Sequence, residues 1–158
     1  MEEELNATPT ILRWHEPLPM EPGAPLPSML CIESRLLCAY YIGIIAKKSA
    51  RTSAVLLFDR VQQFRFGCHY NHENLTNHPL YKYGLRSYQF GLVDNSPLLS
   101  ELYEPRGMLP NTLRHWIITF HDHTLEVVGD NGSVVGDMVA PPEEALRIYS
   151  KQLLGRRH

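Results

Sequence analysis

The chain has 158 residues, of which 44% are hydrophobic and 20% are charged, and its formal net charge is −2, with 15 Lys and Arg against 17 Asp and Glu. This length and composition are typical of one folded domain and argue against disorder and membrane residence. The lack of a basic excess argues against nucleic acid as a partner, because a phosphate backbone is usually bound by clustered Lys and Arg.

The cysteines and the apolar segments predict a cytoplasmic protein. Cys31, Cys38 and Cys68 are odd in number and show no CxxC spacing, so they indicate neither a disulfide framework nor a zinc ribbon. The segment MEEELNATPT is acidic where a secretory signal would be basic. The longest apolar stretch, residues 36–46, has about half the length that a membrane-spanning helix needs. We therefore expect no membrane partner.

Prolines dominate the first part of the chain. Six of them lie between residues 7 and 27, and each removes a backbone donor and restricts its neighbour, so regular structure is predicted to be excluded there. This divides the chain into an arm, residues 1–28, and a single α+β domain, residues 29–158. Trp14 and the leucines of the arm are too apolar for a free tail, so residues 11–28 are predicted to dock on the sheet or on a second subunit.

Alternating apolar patterns from Met29 onward predict a mainly antiparallel sheet of about seven or eight strands. The predicted strands lie near residues 29–33, 36–42, 54–58, 61–66, 87–93, 113–121, 124–129 and 133–139. The last three are predicted to form a meander, with Asn131-Gly132 as a turn of positive φ.

Capping residues predict the helices. One begins at Asn95 or Ser96, before Pro97, and continues to about Tyr103. A short helical turn runs from Pro79 to Gly84. The C-terminal segment PPEEALRIYSKQLLGRR has prolines and glutamates at its start and glycine and arginines at its end, as a helix prefers. The predicted fold class is α+β.

The segment LRHWIITFHDHTLEVVG, residues 113–129, concentrates polar side chains in strand-like sequence. Alternation assigns Trp116, Ile118 and Phe120 to the core face. His115 and His121 then lie on the opposite, solvent face, about 20 Å apart, which is too far to share one metal ion. Asp122 is predicted to belong to the turn. The alternative is that His121 or Asp122 lines a functional surface at the hairpin tip.

A second candidate site is the loop from Cys68 to His78. Its Cys68, His69, His72 and His78 are ligand types that zinc accepts, but their spacing matches no zinc motif. His72-Glu73 lacks the second histidine of a metalloprotease helix, because residue 76 is threonine. A Cys68 nucleophile with a histidine base is chemically possible. A structural or partner-facing loop is the favoured interpretation.

Two blocks resemble a known group of proteins. They are FRFGCHYNHENLTNHPLYKYGL, residues 64–85, and LRHWIITFHDHTLEVV, residues 113–128. Together they are similar to small bacterial proteins of unknown function that carry a His-Pro-Leu-Tyr…Gly-Leu segment followed by an Arg-His-aromatic…Phe-His-Asp hairpin. The resemblance covers about residues 55–130, implies a bacterial cytoplasmic origin and a compact α+β fold, and supplies no activity. It adds interest to Glu73, His78, His121 and Asp122 as a shared binding surface.

Enzyme motifs are missing: there is no Walker loop, no GxGxxG after a strand and no GxSxG elbow. The leading hypothesis is a non-catalytic protein-binding or regulatory module without a cofactor, whose partner is another protein or a second copy of the chain. The alternative is a small metal-dependent or cysteine/histidine hydrolase that uses the 68–78 loop and the hairpin tip, residues 121–123. The sequence leaves the enzyme question open and leans against catalysis.

Overall fold

Two antiparallel β-sheets pack face to face in the computed structural model, which describes residues 8–23, 26–43, 51–103 and 113–155. Runs rich in Val, Ile, Leu, Phe and Tyr favour the extended backbone of these sheets. In chain order the strands are β1 Thr10–Arg13, β2 Ser28–Ile32, β3 Arg35–Tyr41, β4 Ser53–Asp59, β5 Gln63–Gly67, β6 Phe90–Asp94, β7 Arg114–Thr119, β8 Thr124–Gly129 and β9 Asn131–Met138. The helices are α1 Pro97–Tyr103 and α2 Pro142–Gly155, and two short 3-10 turns span Leu75–Asn77 and Tyr81–Tyr83.

The strand order places β7 and β8 inside one sheet. The five-stranded sheet has the order β1-β6-β7-β8-β5 and the four-stranded sheet has the order β2-β3-β4-β9. All strand pairs are antiparallel. The predicted α+β class is therefore confirmed, with nine strands in the described residues divided between two sheets. None of the helices in these ranges is long and apolar enough to cross a membrane.

Aromatic side chains from both sheets fill the space between them. Trp116 lies between Phe58 and Trp14, with ring centroids 5.3 and 6.2 Å away. Tyr40 of the four-stranded sheet contacts Phe90 of the five-stranded sheet at 5.2 Å. Tilted and edge-on arrangements of this kind bring the positive ring edge toward a neighbouring negative face. The predicted core face of β7 is confirmed.

The proline-rich arm contributes to this core. Trp14 and Met20 are buried in it, which confirms the prediction that the arm docks on the sheet. The prediction that residues 7–27 exclude regular structure is wrong, because Thr10–Arg13 forms β1 and pairs with β6. Residues 10–16 contain no proline, so their amide groups are free to join the sheet.

The outer faces of both sheets are covered as well. Helix α2 packs on the four-stranded sheet, where Ala145 and Leu146 meet Leu37 and Val55. Residues 70–85 lie over the five-stranded sheet through a cluster of buried apolar side chains, namely Leu75, Leu80, Leu85, Val93 and Ile117. The predicted helical turn there ends at Gly84, whose φ of 106° suits glycine. This cover buries His115 to 2% exposure, so its predicted place on a solvent face is wrong.

The predicted meander is also wrong at its last step. β9 pairs with β4 in the other sheet, so the chain crosses between the sheets after β8. Asn131 begins β9, and neither it nor Gly132 has a positive φ. Gly132 instead gives room for the core, because a Cβ there would lie 3.0 Å from Trp116 and 3.1 Å from Phe58.

We expect Trp116→Ala to lower the free energy of unfolding by about 3–5 kcal/mol, because it leaves a cavity between the sheets. Phe64→Ala is the matched control, since Phe64 is 40% exposed on an edge strand and should cost less than about 1 kcal/mol. Urea denaturation followed by circular dichroism measures both. Equal losses for the two variants would contradict this description of the core.

Candidate functional site

The β7–β8 hairpin carries two groups of polar side chains, one at each end. The first group, at the turn, is the tip cluster, which consists of His72, His121 and Asp122. The second group is the buried network, which consists of His78, Ser96, His115 and Glu126. In both groups a segment distant in sequence meets the hairpin.

Backbone hydrogen bonds bring His72 to the hairpin tip. The amide N–H of His72 donates to the carbonyl oxygen of His121 at 3.0 Å. Asn71 and Asn74 fix the loop around it: the side-chain oxygen of Asn71 accepts from the amide of Glu73, and that of Asn74 accepts from the amide of Asn71. Asparagine side chains often stabilise tight turns in this way. The position of His72 therefore follows from the loop and the hairpin together.

The orientation of the His72 ring leaves one nitrogen free to bind. Its Nδ1 lies 3.0 Å from the same His121 carbonyl oxygen. Because a carbonyl oxygen only accepts, Nδ1 must carry the hydrogen, and Nε2 of the neutral ring has a lone pair. The ring stacks on that of His121, with centroids 3.8 Å apart and planes at 21°. One ligand atom each of His72, His121 and Asp122 lies within 4.8 Å of the others.

Tyr88 holds His121 from the other side. Its hydroxyl lies 2.6 Å from Nδ1 of His121. Tyr88 has a φ of 57°, a left-handed conformation that is costly for a bulky side chain. The next residue is fixed by two hydrogen bonds, because the amide of Gln89 donates to the Thr119 hydroxyl and the amide of Thr119 donates to the Gln89 carbonyl. The sheet therefore holds Tyr88 in the strained conformation that places its hydroxyl on His121.

The buried network is centred on the carboxylate of Glu126. One oxygen lies 3.0 Å from Nε2 of His115 and the other lies 3.7 Å from Nε2 of His78. Nδ1 of His78 accepts the amide N–H of Leu80 at 3.0 Å. Nδ1 of His115 lies 2.7 Å from the hydroxyl oxygen of Ser96. His115 thus links the carboxylate to Ser96 on another segment, and His78 links it to the backbone of its own loop.

The network keeps Glu126 ionised although the side chain is only 13% exposed. Burial by itself raises the pKa of the carboxyl group, but the N–H groups of His115 and His78 that face the carboxylate outweigh it and lower the pKa to about 2. A carboxylate only accepts hydrogen bonds, so Nε2 of His115 donates to it at 3.0 Å, while Nε2 of His78 faces the other oxygen at 3.7 Å, beyond hydrogen-bond distance. For neutral His115 this leaves the lone pair on Nδ1, facing the Ser96 hydroxyl.

The structure brings together some of the residues that the sequence singled out and separates others. His121 and Asp122 join His72 in the tip cluster, and Glu73 lies at its exposed rim, 3.9 Å from Nε2 of His72. His78 is buried in the other group. Two further candidates, Cys68 and His69, are exposed, and the His69 ring packs on Tyr70.

Sequence reasoning missed Ser96 and Glu126 as partners of His115. The hairpin register contained part of this signal, because Ile117 pairs with Glu126 and His115 pairs with Val128. Glu126 is therefore diagonal to His115 on the same face of the sheet, within reach of a long side chain. Nothing in the local pattern indicated Ser96, which arrives from the start of α1.

No protein-family model, curated protein or solved structure matches this chain at a significant level. The functional argument therefore depends on the chemistry of the two groups described above.

The low pKa of Glu126 makes stability depend on pH. Because the folded pKa of about 2 lies below the ordinary value of 4.5, the unfolded chain binds more protons between these pH values. The stabilisation is fully present above pH 4.5, amounts to about 3 kcal/mol, and is lost as pH falls toward 2. We expect a carbon-13 NMR titration of the wild-type protein to show the Glu126 carboxyl with a midpoint well below 4.5.

Urea denaturation of Glu126→Gln provides the second measurement. The stability difference between wild type and variant should shrink as pH falls from about 5 to about 2, because the wild-type carboxylate becomes protonated. Glu143→Gln, in the first turn of α2, is the control and should show no comparable change. A wild-type midpoint at or above 4.5 would contradict the assigned role of the two histidines.

Proposed function

We propose that this protein binds a divalent transition metal ion at the hairpin tip, with His72, His121 and Asp122 as its ligands. The observation that supports this is the approach of their three ligand atoms to within 4.8 Å, although His72 and His121 are 49 residues apart in sequence. These are the loop and the hairpin tip that the metal-dependent alternative named from the sequence.

The ligand types favour zinc or a similar ion over magnesium or calcium. Two imidazoles and one carboxylate suit zinc and other late first-row ions, whereas magnesium and calcium prefer oxygen ligands alone. Three protein ligands leave a fourth position for water or for a group from a partner.

The three side chains must close slightly around an ion. Tetrahedral ligands at about 2.1 Å from zinc are about 3.4 Å apart, so separations of at most 4.8 Å must shrink by at most about 1.4 Å. The imidazoles must also splay from their stacked arrangement, so that each lone pair points at the ion. His72 and His121 are both about one-third exposed, and Asp122 is more exposed than either, so side-chain rotation can supply this movement.

The surrounding contacts are those that a metal-binding histidine commonly has. A ligating imidazole usually donates its second N–H to a carbonyl or another oxygen, which fixes the ring and its tautomer. His72 does so to the His121 carbonyl. The Tyr88 hydroxyl can accept the Nδ1–H of His121 in the same way, which leaves Nε2 of His121 for the ion.

The space beside the tip indicates how the ion would be used. A cleft of about 10 Å³ adjoins His121 and Asp122, enough for about one water molecule. His72 does not line this cleft, and all three ligand side chains are partly open to solvent, so a partner reaches the ion from the protein surface. On this proposal the binding-module hypothesis and the metal site describe the same surface, with the open coordination position as the point of contact.

We expect purified, tag-free protein to bind zinc or cobalt(II) with a stoichiometry of one ion. Cobalt(II) should give the visible absorption of a tetrahedral site. His72→Gln and His121→Gln should each weaken binding at least about tenfold, since each removes a ligand. Isothermal titration calorimetry measures the affinities.

His69→Gln is the matched control, because His69 is exposed on the same loop but outside the tip cluster. Its affinity should stay within about twofold of wild type. If the wild-type protein binds no ion, or if His69→Gln weakens binding as much as His72→Gln, the proposed centre is wrong.

Tyr88→Phe tests the orienting contact. Removing the hydroxyl leaves Nδ1 of His121 without its partner, so we expect zinc affinity to fall about 10- to 100-fold, the usual effect of losing a group that orients a metal ligand. Tyr149→Phe is the control, because Tyr149 lies on α2 and packs on the outer face of the other sheet. An unchanged affinity in Tyr88→Phe would show that the strained tyrosine serves another purpose.

A further inference from the structure

We propose that Ser96 is the nucleophile of a second site, which hydrolyses carboxylic esters with short apolar acyl groups. His115 is its general base and Glu126 is the positioning residue for His115. The site shares no residue with the tip cluster and lies at the other end of β7, so the proposal is independent of metal binding.

A cavity of suitable size reaches Ser96. It has a volume of about 380 Å³, within the usual range for small-molecule sites. Half of the residues that line it are apolar, namely Leu12, Leu92, Val93, Leu99 and Leu113, and the others are polar or charged, namely Asp94, Asn95, Ser96, Ser100 and Arg114. A short acyl chain fits a leucine-lined wall. Ser96 itself is 4% exposed, so a substrate reaches it by entering the cavity.

The contacts of Ser96 match the needs of an activated hydroxyl. Its oxygen lies 2.7 Å from Nδ1 of His115, and Nε2 of His115 lies 3.0 Å from Glu126. Because Glu126 is ionised, the neutral ring carries its hydrogen on Nε2, so the Nδ1 lone pair accepts the Ser96 O–H. A nucleophile, a base and a carboxylate that orients the base are thereby aligned.

The local fold presents Ser96 at a sharp turn between a strand and a helix. β6 ends at Asp94, Asn95 has a φ of 53°, and α1 begins at Pro97. Ser96 also caps this helix, because its oxygen accepts the amide N–H of Leu99 at 3.3 Å. A capping serine needs only that amide. Helix capping alone therefore does not explain why the Ser96 hydroxyl also contacts the buried His115, which in turn contacts Glu126.

The reaction follows from these positions. The Ser96 oxygen forms a bond to the ester carbonyl carbon while its proton passes to Nδ1 of His115. The bond to the alcohol oxygen breaks, and the alcohol leaves with the proton from His115. Water then attacks the acyl-serine with His115 again accepting and returning the proton, which releases the carboxylic acid and restores Ser96.

Stabilisation of the oxyanion is the weak part of the site. Pro97 has no N–H, so the residue after the nucleophile cannot donate to the oxyanion. Arg114 lines the cavity, but it alternates with His115 along β7 and therefore projects from the opposite face of the strand, and the acidic Asp94 lines the cavity too. Loss of one oxyanion donor commonly costs about 10²–10³ in rate, so we expect slow turnover. Covalent capture of the nucleophile is therefore a more sensitive test than ester hydrolysis.

The test uses a small alkyl fluorophosphonate, in which the serine oxygen displaces fluoride from phosphorus and His115 takes the proton. Intact-mass spectrometry of the full chain should show one added group, and peptide mapping should place it on Ser96. Ser96→Ala should lose the label, and circular dichroism should show that it remains folded although it lacks both the helix cap and the hydroxyl that faces His115. p-Nitrophenyl butyrate should be hydrolysed slowly by wild type and not above background by Ser96→Ala.

Two controls isolate the nucleophile. Ser100→Ala lines the same cavity and should keep the wild-type labelling rate within about twofold. His72→Gln, which removes a proposed metal ligand, should also label at the wild-type rate, so that failure of one proposal can be told from failure of the other. No label on folded wild-type protein, or a label at any residue other than Ser96, overturns the proposal.

The positioning role of Glu126 has its own readout. Glu126→Gln should slow labelling of Ser96 at least about tenfold, because the imidazole loses the carboxylate that sets its tautomer. Nitrogen-15 NMR should show the Nε2–H form of His115 in wild type and a mixture of forms in the variant. A folded Glu126→Gln that labels at the wild-type rate would remove Glu126 from the site.

Discussion

The carboxylate of Glu126 joins the two strands of the β7–β8 hairpin to a loop that is distant in sequence. It projects from β8 and contacts His115 on β7 and His78 in the loop that covers the sheet. A buried ionised group of this kind is tolerated only when its partners compensate for the lost hydration. The two histidines provide that compensation, and in doing so they fix the loop over the hairpin. Both candidate sites depend on the contacts of Glu126. The loop that His78 fixes also supplies His72 to the tip cluster, and His115 also contacts Ser96.

Apolar packing supports the polar contact. Leu75, Leu80 and Leu85 of the covering loop, residues 70–85, pack against Ile117 of β7. These contacts exclude water from the network, which strengthens its hydrogen bonds and makes an unpaired partner costly. The loop is thus held by leucines in its middle, by His78 next to them, and by the His72 backbone at the tip. An irregular segment gains a defined shape from the sheet beneath it.

The sequence was sufficient where short-range patterns decide the structure. The core face of β7, the bounds of α1 and the C-terminal helix followed from alternation and capping residues, and all three are present. It was insufficient where the partner is distant. The widely spaced leucines of residues 70–85 gave no periodic signal of a buried segment, so His115 was assigned to solvent. Asn131-Gly132 has a strong local preference for a turn, but Trp116 and Phe58 leave room only for a glycine at residue 132.

For the candidate site, sequence reasoning identified the right residue types and could not assign their partners. Separation along β7 correctly excluded a shared metal for His115 and His121, since six residues of strand span about 20 Å. His115 and His121 nevertheless lie on the same face, because every second side chain along a strand points to the same side of the sheet. Ile117 lies between them and is buried by the covering loop, so the two ends of the strand remain chemically separate. One strand can therefore place a partly exposed imidazole at the hairpin tip and a buried one beside a cavity, and the environment at each end decides which groups its histidine can contact.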